Sequence, residues 1–433
     1  MSAMLEFGEA LARLLAGANP VREAEAVSTQ AAAGRVLAES LRSAIDVPPL
    51  DNTSMDGYAV RCADVSVAGA KLAVAQRIPA GSVGHVLAPG TAARIFTGAP
   101  LPAGADAVVM QELCAFDGAT VAINHMPHPG EWIRRRGEDI AAGAEVLAAG
   151  TRLTAAHVGV AASVGAPQLT VFRRLRVALF STGDELAMPG EPLKPGGIYN
   201  SNRYTLRALL EGMGCVVDDL GIVPDTREAT RAALRAAAVS NDLILTSGGV
   251  SVGEEDHVKP AVEAEGALDL WKIAIKPGKP LAFGSVRRPG GQPSPSFPLP
   301  EGEGSNSPPL SLWERGRERG GGAAAFIGLP GNPVSSFVTF LMLVRPFILK
   351  CQGATDLRPR ARGLPADFDF KGDPRREFLR ARINDTGGLD LFPNQSSGVL
   401  TSCTWADGLI DNPPHRAIAY GDTVRFLPFS ELL

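Results

Sequence analysis

The stretch "RVALFSTGDEL", residues 176 to 186, opens an alternation that runs on to "NDLILTSGGV", residues 241 to 250. "RVALFST" is a short apolar run, "SNRYTLRALLEGMG" has helical spacing, and "CVVDDLGIV" is strand-like again. "DTREATRAALRAAAV" is again helical and "DLILTS" gives a third strand. Strands alternating with helices predict a doubly wound, mostly parallel sheet, whose ligands bind beyond the carboxyl ends of its strands. The turns that follow those strands are therefore where chemistry is expected.

The third of these turns is "TSGGVSVGEED", residues 246 to 256. Backbone N–H groups in such a Ser/Gly loop can converge on an anion, with Ser247, Gly248, Gly249 and Ser251 as candidates, although the same string also suits a plain strand-to-helix turn. Glu254, Glu255 and Asp256 carry the wrong charge to meet a phosphate unaided, so a cation between them is implied. Carboxylate and phosphate oxygens are the ligands Mg²⁺ prefers. Asp184 and Glu185 follow the first strand and Asp225 the second; each alone is an ordinary cap or solvated turn, but in a parallel sheet all three ends share one rim. In "IKPGKPLAF", Lys276 and Lys279 flank a stiff Pro-Gly turn, either as solvated lysines or as two fixed ammonium groups for an oxyanion.

Further from that sheet, "GLPGNPVSSFVTFLMLVRPFILK" reads as a closing helix with Asn332 as N-cap and Pro333 at its first position. Residues 1 to about 45 hold two helical patterns, and 140 to 174 a small helix, "LTAAHVGVAASVG". Between them, residues 51 to 139 show short apolar runs split by Gly and Pro turns, a β-rich module inserted into a mixed one. Its turns contain Asp56, Thr97, the Arg134 to Arg136 run and Asp139. The expected domains are 1–50 with 140–174, a mixed N-terminal domain; 51–139, β-rich; 175–350, α/β; and 356–433, a C-terminal β-barrel-like domain. Residues 289 to 323, with seven Pro and eight Gly, read as a disordered lengthened turn between two strands of a hairpin.

Composition narrows the function classes. A chain of 433 residues with 45% hydrophobic and 20% charged residues and net charge −4 is expected to be multidomain and globular, with no footprint for nucleic acid. Five cysteines without a CxxC pair indicate neither a disulfide framework nor structural zinc. The run "FVTFLMLV" is stopped by Arg345, too short to span a bilayer, and the N-terminus is unlike a signal peptide, so a cytoplasmic location without a membrane partner is expected. HExxH, Walker A and GxGxxG patterns do not occur.

In colinear order, "DNTSMDGYAV", "RIFTGAPLPAGADAVV", "RRRGEDI", "FSTGDEL", "TSGGVSVGEEDHVK", "IKPGKPLAFG" and "GLPGNPVSS" make the chain resemble the molybdopterin molybdenumtransferase family. These are the molybdenum-insertion enzymes of molybdenum cofactor synthesis, related to the E domain of gephyrin. The resemblance covers nearly everything except the 289 to 323 insert. It implies a homodimer of four-domain subunits that takes adenylylated molybdopterin and molybdate, with Mg²⁺, to molybdenum cofactor and AMP. It further implies as partners the molybdopterin adenylyltransferase and cofactor-receiving enzymes.

By the same resemblance, Asp56, Thr97, Asp139, Glu185, Asp225 and Asp256 are active-site residues, with Glu185, Asp225 and Asp256 at the metal. The loop residues Ser247, Gly248, Gly249 and Ser251 hold the pterin phosphate or adenylate. Lys276, Lys279, Pro280 and Ser335 match a molybdate-holding turn, joined by Arg380 and Ser397 from the last domain. Two rival readings remain open at this point: an adenylyltransferase, which shares the "SGG" loop, and a scaffold of the gephyrin type.

Overall fold

The computed structural model describes residues 4–249, 257–288 and 322–433. Its centre is a six-stranded sheet in the order Val216–Val223, Arg176–Thr182, Leu243–Ser247, Ala323–Leu329, Pro280–Arg287, Gly266–Lys272. The first four strands are parallel and Pro280–Arg287 is antiparallel to both neighbours. In the strand Arg176–Thr182 successive side chains serve opposite faces: Val177 and Leu179 join one core, Ala178 and Phe180 the other. Burial on both faces is why the run reads as continuously apolar.

Helices Arg227–Ser240 and Val258–Glu265 cover the Phe180 face through Leu234, Ala238, Ala261 and Val262. Ser201–Gly212 covers the other face through Leu206 and Leu210, together with the helical stretch that begins at Pro333. That stretch runs without a break to Cys351, with a π-helical turn at Phe340–Val344. At 19 residues it is long and apolar enough to cross a membrane, longer than the run read from sequence, but 89% of its apolar window is buried inside the protein. It is a core helix, with Val334, Phe337, Val338, Leu341, Val344 and Ile348 all in the central cluster.

The strand Gly266–Lys272 was not anticipated. It pairs antiparallel with Pro280–Arg287, and the tight turn between them carries Ile275 to Lys279 back to the rim formed by the parallel strand ends. Pro280–Arg287 and Ala323–Leu329 form the expected antiparallel pair, with Arg287 opposite Ala323. Ala323 therefore belongs to a strand rather than to the insert, and the disorder expected for 289–321 concerns residues outside the described ones.

Among its described residues the N-terminal segment contains one α-helix, Phe7–Ala16, and a single 3-10 turn, Thr29–Ala31, rather than two helices. The second helical pattern is instead the strand Ala24–Ser28, paired antiparallel with Gln168–Phe172. A full ladder of backbone hydrogen bonds to a distant segment outweighs the local helix preference of alanines. Ala32, Leu37, Leu147, Leu153, Ala161 and Val171 pack together, so the segments on either side of the β module share a core. The module itself is a six-stranded sheet, Ala107–Met110, Gly57–Val60, Thr91–Ile95, Ala70–Ile78, Thr120–Ile123 and Cys114–Phe116, with a cluster on each face.

The strands of the last domain enclose a core of Ala366, Leu379, Leu389, Ile410, Val424 and Phe426. They follow the order Ile275–Lys276, Arg376–Ile383, Gly408–Asn412, Thr423–Pro428 and Arg362–Pro365, with Leu389–Leu391 paired to Arg376–Ile383 off that path. One end strand is borrowed from the α/β domain: Ile275 pairs with Arg376 and Lys276 with Glu377. Beyond Pro365 the chain pairs again, Ala366 bridging Leu389 in parallel and Asp367 N–H donating to Leu389 O at 3.0 Å, so the strand path returns to Arg376–Ile383 through Leu389–Leu391.

Candidate active site at the strand ends

Four parallel strands and one antiparallel strand deliver their turns to a single cleft of about 670 Å³. Thr182, Gly183 and Glu185 come from the first strand end, Asp225 from the second, Gly248 and Gly249 from the third, and Pro330 to Asn332 from the fourth. Lys276 to Pro280 arrive there because Pro280–Arg287 runs the opposite way, so its start lies at the same rim. Ser335 and the loop residues Gln395, Ser396 and Ser397 close the far wall with Arg375. Among the residues expected from sequence, Glu185, Asp225, Gly248, Gly249, Lys276, Lys279, Pro280, Ser335 and Ser397 thus share one cavity.

The glycines are required by the backbone. Gly248 has φ +89° and Gly249 φ +65°, a region that residues with a Cβ adopt only at a cost. A Cβ on Gly248 would meet the Thr182 carbonyl oxygen at 2.9 Å, and one on Gly249 would meet Val258 Cγ2 at 2.3 Å. The loop is therefore pressed between the first strand and the next helix, its start fixed by Gly248 N–H donating to Leu329 O at 3.1 Å. Ser247 is buried beneath it, its Oγ 3.2 Å from Ser181 Oγ. Ser251 and Asp256 lie outside the described residues.

The cationic end is more constrained than two solvated lysines. The Lys276–Pro277 peptide is cis and Gly278 has φ +108°; a Cβ there would meet Thr339 Oγ1 at 2.3 Å, so the turn packs directly onto the core helix. Lys276 Nζ lies 3.1 Å from Asp373 Oδ2 and 3.1 Å from Glu377 Oε1. Burial alone would lower the Lys276 pKa, but hydrogen bonding to Glu377 and then Asp373 outweighs it and holds the ammonium above the ordinary lysine value. Arg375 donates to Asp373 through Nε at 2.9 Å and Nη2 at 3.2 Å, and this pairing above all holds the Asp373 carboxyl well below the usual carboxylate range. Lys279 is exposed; its carbonyl oxygen accepts from Ile273 N–H at 2.8 Å, and its ammonium has no polar partner among the described residues.

Arg380 does not line the cleft. It is fully buried, donating to Ser402 Oγ at 3.1 Å, Phe378 O at 3.2 Å and Ser396 O at 3.4 Å. Its backbone also exchanges hydrogen bonds with the Gln395 side chain, both at 3.0 Å. It thus props the 395–397 loop from behind, while Val334 N–H donates to Ser397 O at 3.0 Å. Burial without a carboxylate lowers the Arg380 pKa to about 10. Arg375, five positions earlier in "RREFLR", is the arginine at the cavity wall, and nothing in that string distinguishes the two until the strand's burial pattern is known.

Asp56, Thr97 and Asp139 are absent from the cleft lining. They belong to the β module and its flank: Asp56 Oδ1 accepts from Thr97 N–H and Oγ1, both at 2.8 Å, and these two bonds in that order lower the Asp56 pKa. Asp139 is exposed, its N–H donating to Val47 O at 3.0 Å. The arginine run is partly structural, since Arg135 pairs with Asp51 at 2.7 Å and Arg136 with Asp46 at 2.5 Å.

Chemically, the cleft brings together carboxylate oxygens, a tight glycine turn and cations. Among the described residues no group of three or more His, Cys, Asp or Glu side chains is arranged to hold a metal. Glu185 and Asp225 supply two carboxylates, which suits Mg²⁺, an ion held through one or two carboxylates with water completing its shell.

Comparison with known proteins covers nearly the entire chain. Residues 5–165 match the MoeA N-terminal region (domain I and II), 178–350 a probable molybdopterin binding domain, and 364–429 the MoeA C-terminal region (domain IV). A molybdopterin molybdenumtransferase of Haemophilus influenzae is 37% identical over 439 residues, covering 99% of this chain and 100% of the relative. One of Nostoc is 37% identical over 400 residues, covering 90% and 84%. The crystal structure of a molybdopterin biosynthesis MoeA protein from Pyrococcus horikosii superposes with TM-score 0.71 at 28% identity, covering 99% of both chains.

Proposed function

The chain belongs to the molybdopterin molybdenumtransferase family, an enzyme of molybdenum cofactor biosynthesis, and from that premise we propose that its cleft inserts molybdenum from molybdate into adenylylated molybdopterin and releases AMP. The observation that carries this reading is the convergence of Glu185, Asp225, Gly248, Gly249, Lys276, Lys279, Ser335 and Ser397 on one cavity from turns that are far apart in sequence.

The pterin's dithiolene sulfurs are the ligands that take up molybdenum, so the protein need supply no nucleophile of its own. Its task is to hold two anionic reactants together and to assist cleavage of the phosphoanhydride. Lys279, the Ser335 hydroxyl and the 395–397 loop receive the tetrahedral dianion, a cationic and hydrogen-bonding wall that offsets its charge. The Gly248–Gly249 turn, its Gly248 N–H already engaged by Leu329 O, receives the phosphates against its backbone. Glu185 and Asp225 would hold Mg²⁺, which would supply stabilisation of the charge that develops on the leaving phosphate. Those carboxylates also orient water for attack on the anhydride.

Asp56, Thr97 and Asp139 complete the proposal through a homodimer. They do not reach their own chain's cleft lining, and they serve the cleft of a second copy. Mixing an Asp56→Ala subunit with a Lys279→Ala subunit is expected to restore part of the activity that each lacks alone; no restoration would place both residues at the same chain's site.

The deciding experiment is AMP release from adenylylated molybdopterin and Mg²⁺, with and without molybdate, for the parent and for Glu185→Ala. Molybdate-dependent release that the substitution abolishes supports insertion. Release that ignores molybdate, or consumption of ATP with molybdopterin, supports the adenylyltransferase instead.

A further inference from the structure

The cationic end of the cleft carries its own counter-charge. Lys276, Lys279 and Arg375 line it, and immediately behind them stand Asp373, shared by Lys276 and Arg375, and Glu377, paired with Lys276 alone. Glu377 is 1% exposed, and among the described residues its Oε1 has only the ion-pair contact with Lys276 Nζ at 3.1 Å while its Oε2 has no partner. A carboxylate taken out of water with most of its acceptor capacity unused is costly to keep. A pocket selected only for the tightest grip on a dianion would not place two acids against its cations.

We propose that Asp373 and Glu377 are affinity-setting residues that temper this cation cluster, fixing how tightly the cleft holds a tetrahedral oxyanion and how readily it gives that oxyanion up. The inference rests on the reading of the cleft as a molybdate site. Lys276 is spoken for by two carboxylates and Arg375 by one, which among the described residues leaves Lys279 as the cation whose full charge faces the cavity. Reducing the net charge weakens binding of the reactant and its competitors alike. That is useful where the anion must be released onto another ligand, since interactions equally strong before and during reaction lower KM without raising kcat. It also limits capture of sulfate and phosphate, tetrahedral oxyanions that a stronger cluster would retain.

The register of the sheet fixes this arrangement. Lys276 and Glu377 are direct partners in the parallel pairing of Ile275–Lys276 with Arg376–Ile383, so the acid cannot move away from the base without breaking the junction between two domains. A purely structural role, in which Glu377 only locks that junction, predicts loss of oxyanion affinity on neutralising it. The tempering role predicts a gain.

Binding of molybdate, and separately of sulfate, to the full chain without pterin is measured by calorimetry for the parent, Glu377→Gln, Asp373→Asn and Lys279→Ala, alongside molybdate KM and kcat in AMP release. Glu377→Gln is expected to bind both anions about tenfold more tightly, with a lower molybdate KM, an unchanged or lower kcat, and stronger inhibition by sulfate. Lys279→Ala is expected to bind neither. If Glu377→Gln does not fold, Asp373→Asn reads the same tightening from the shared carboxylate. Weaker or unchanged binding in the acid variants, with Lys279→Ala still impaired, overturns the tempering role and leaves the acids as structural. Parent and Lys279→Ala alike failing to bind either anion overturns the molybdate reading, and this inference with it.

Discussion

Asp56 and Thr97, 41 residues apart, are tied by two hydrogen bonds of 2.8 Å, one from the Thr97 N–H and one from its hydroxyl to the same carboxylate oxygen. The second carboxylate oxygen is left for another partner. Asp56→Ala is expected to reduce molybdate-dependent AMP release on the order of 10- to 100-fold, because an exposed carboxylate so firmly aimed is lost while the sheet beneath it stays packed. The melting temperature should hardly move. A large drop in melting temperature with matching loss of activity would make the pair a structural staple instead.

The glycine loop can be probed one atom at a time. Gly249→Ala adds a Cβ 2.3 Å from Val258 Cγ2 in a left-handed backbone, whereas Gly248→Ala meets the Thr182 carbonyl oxygen at 2.9 Å. Both should destabilise the protein, by about 1 kcal/mol from the backbone conformation alone and by more where packing must shift. The two variants are expected to lose pterin binding together. Urea unfolding and fluorescence titration with molybdopterin check the two effects separately.

Arg380 is buried without a carboxylate yet keeps its charge up to about 10. A lysine in its place starts from a lower pKa and loses it to the same burial, so Arg380→Lys should be neutral over part of the range in which the parent is charged. The variant's molybdate KM is expected to rise as pH is raised from 7 to 9, while the parent's stays flat over that interval. Parallel pH profiles would show that the Arg380 charge is not felt in the cleft.

Asp373 is held well below the usual carboxylate range, chiefly by Arg375. A carboxylate whose folded pKa is depressed contributes stability above its unfolded pKa of about 4, and that contribution fades as pH falls toward the folded value. Asp373→Asn should therefore unfold more easily than the parent at pH 7, with the difference shrinking below about pH 4. Thermal unfolding at pH 7, 5 and 3 measures it; a difference that grows toward acid would contradict the pairing.

The ends of the insert are adjacent, since Arg288 N–H donates to Gly322 O at 2.8 Å across the hairpin of Pro280–Arg287 and Ala323–Leu329. Replacing residues 289–321 by a two-residue Asn-Gly turn should close that hairpin without strain. Stability is expected to be equal or greater, because a shorter connection costs less entropy to close. Molybdate insertion should be retained. A folded deletion variant without activity would assign the segment a role in the reaction.

The sequence by itself determined the alternating strands and helices of the α/β domain, because residues buried on both sheet faces must be apolar in a continuous run. It also marked the strand-end turns, because positive φ at Gly248 and Gly249 and a Pro-Gly turn beside Lys276 leave signatures within a few residues. Only the tertiary structure decided what those residues face. Ala24–Ser28 is a strand because Gln168–Phe172 pairs with it, and the C-terminal sheet takes one strand from another domain. Lys276 is compensated by Asp373, 97 positions away, and Arg375 rather than Arg380 meets the cavity. Periodicity and turn chemistry are local and can be read along the chain. Charge compensation and strand pairing join residues a hundred positions apart, and no window of sequence contains both partners.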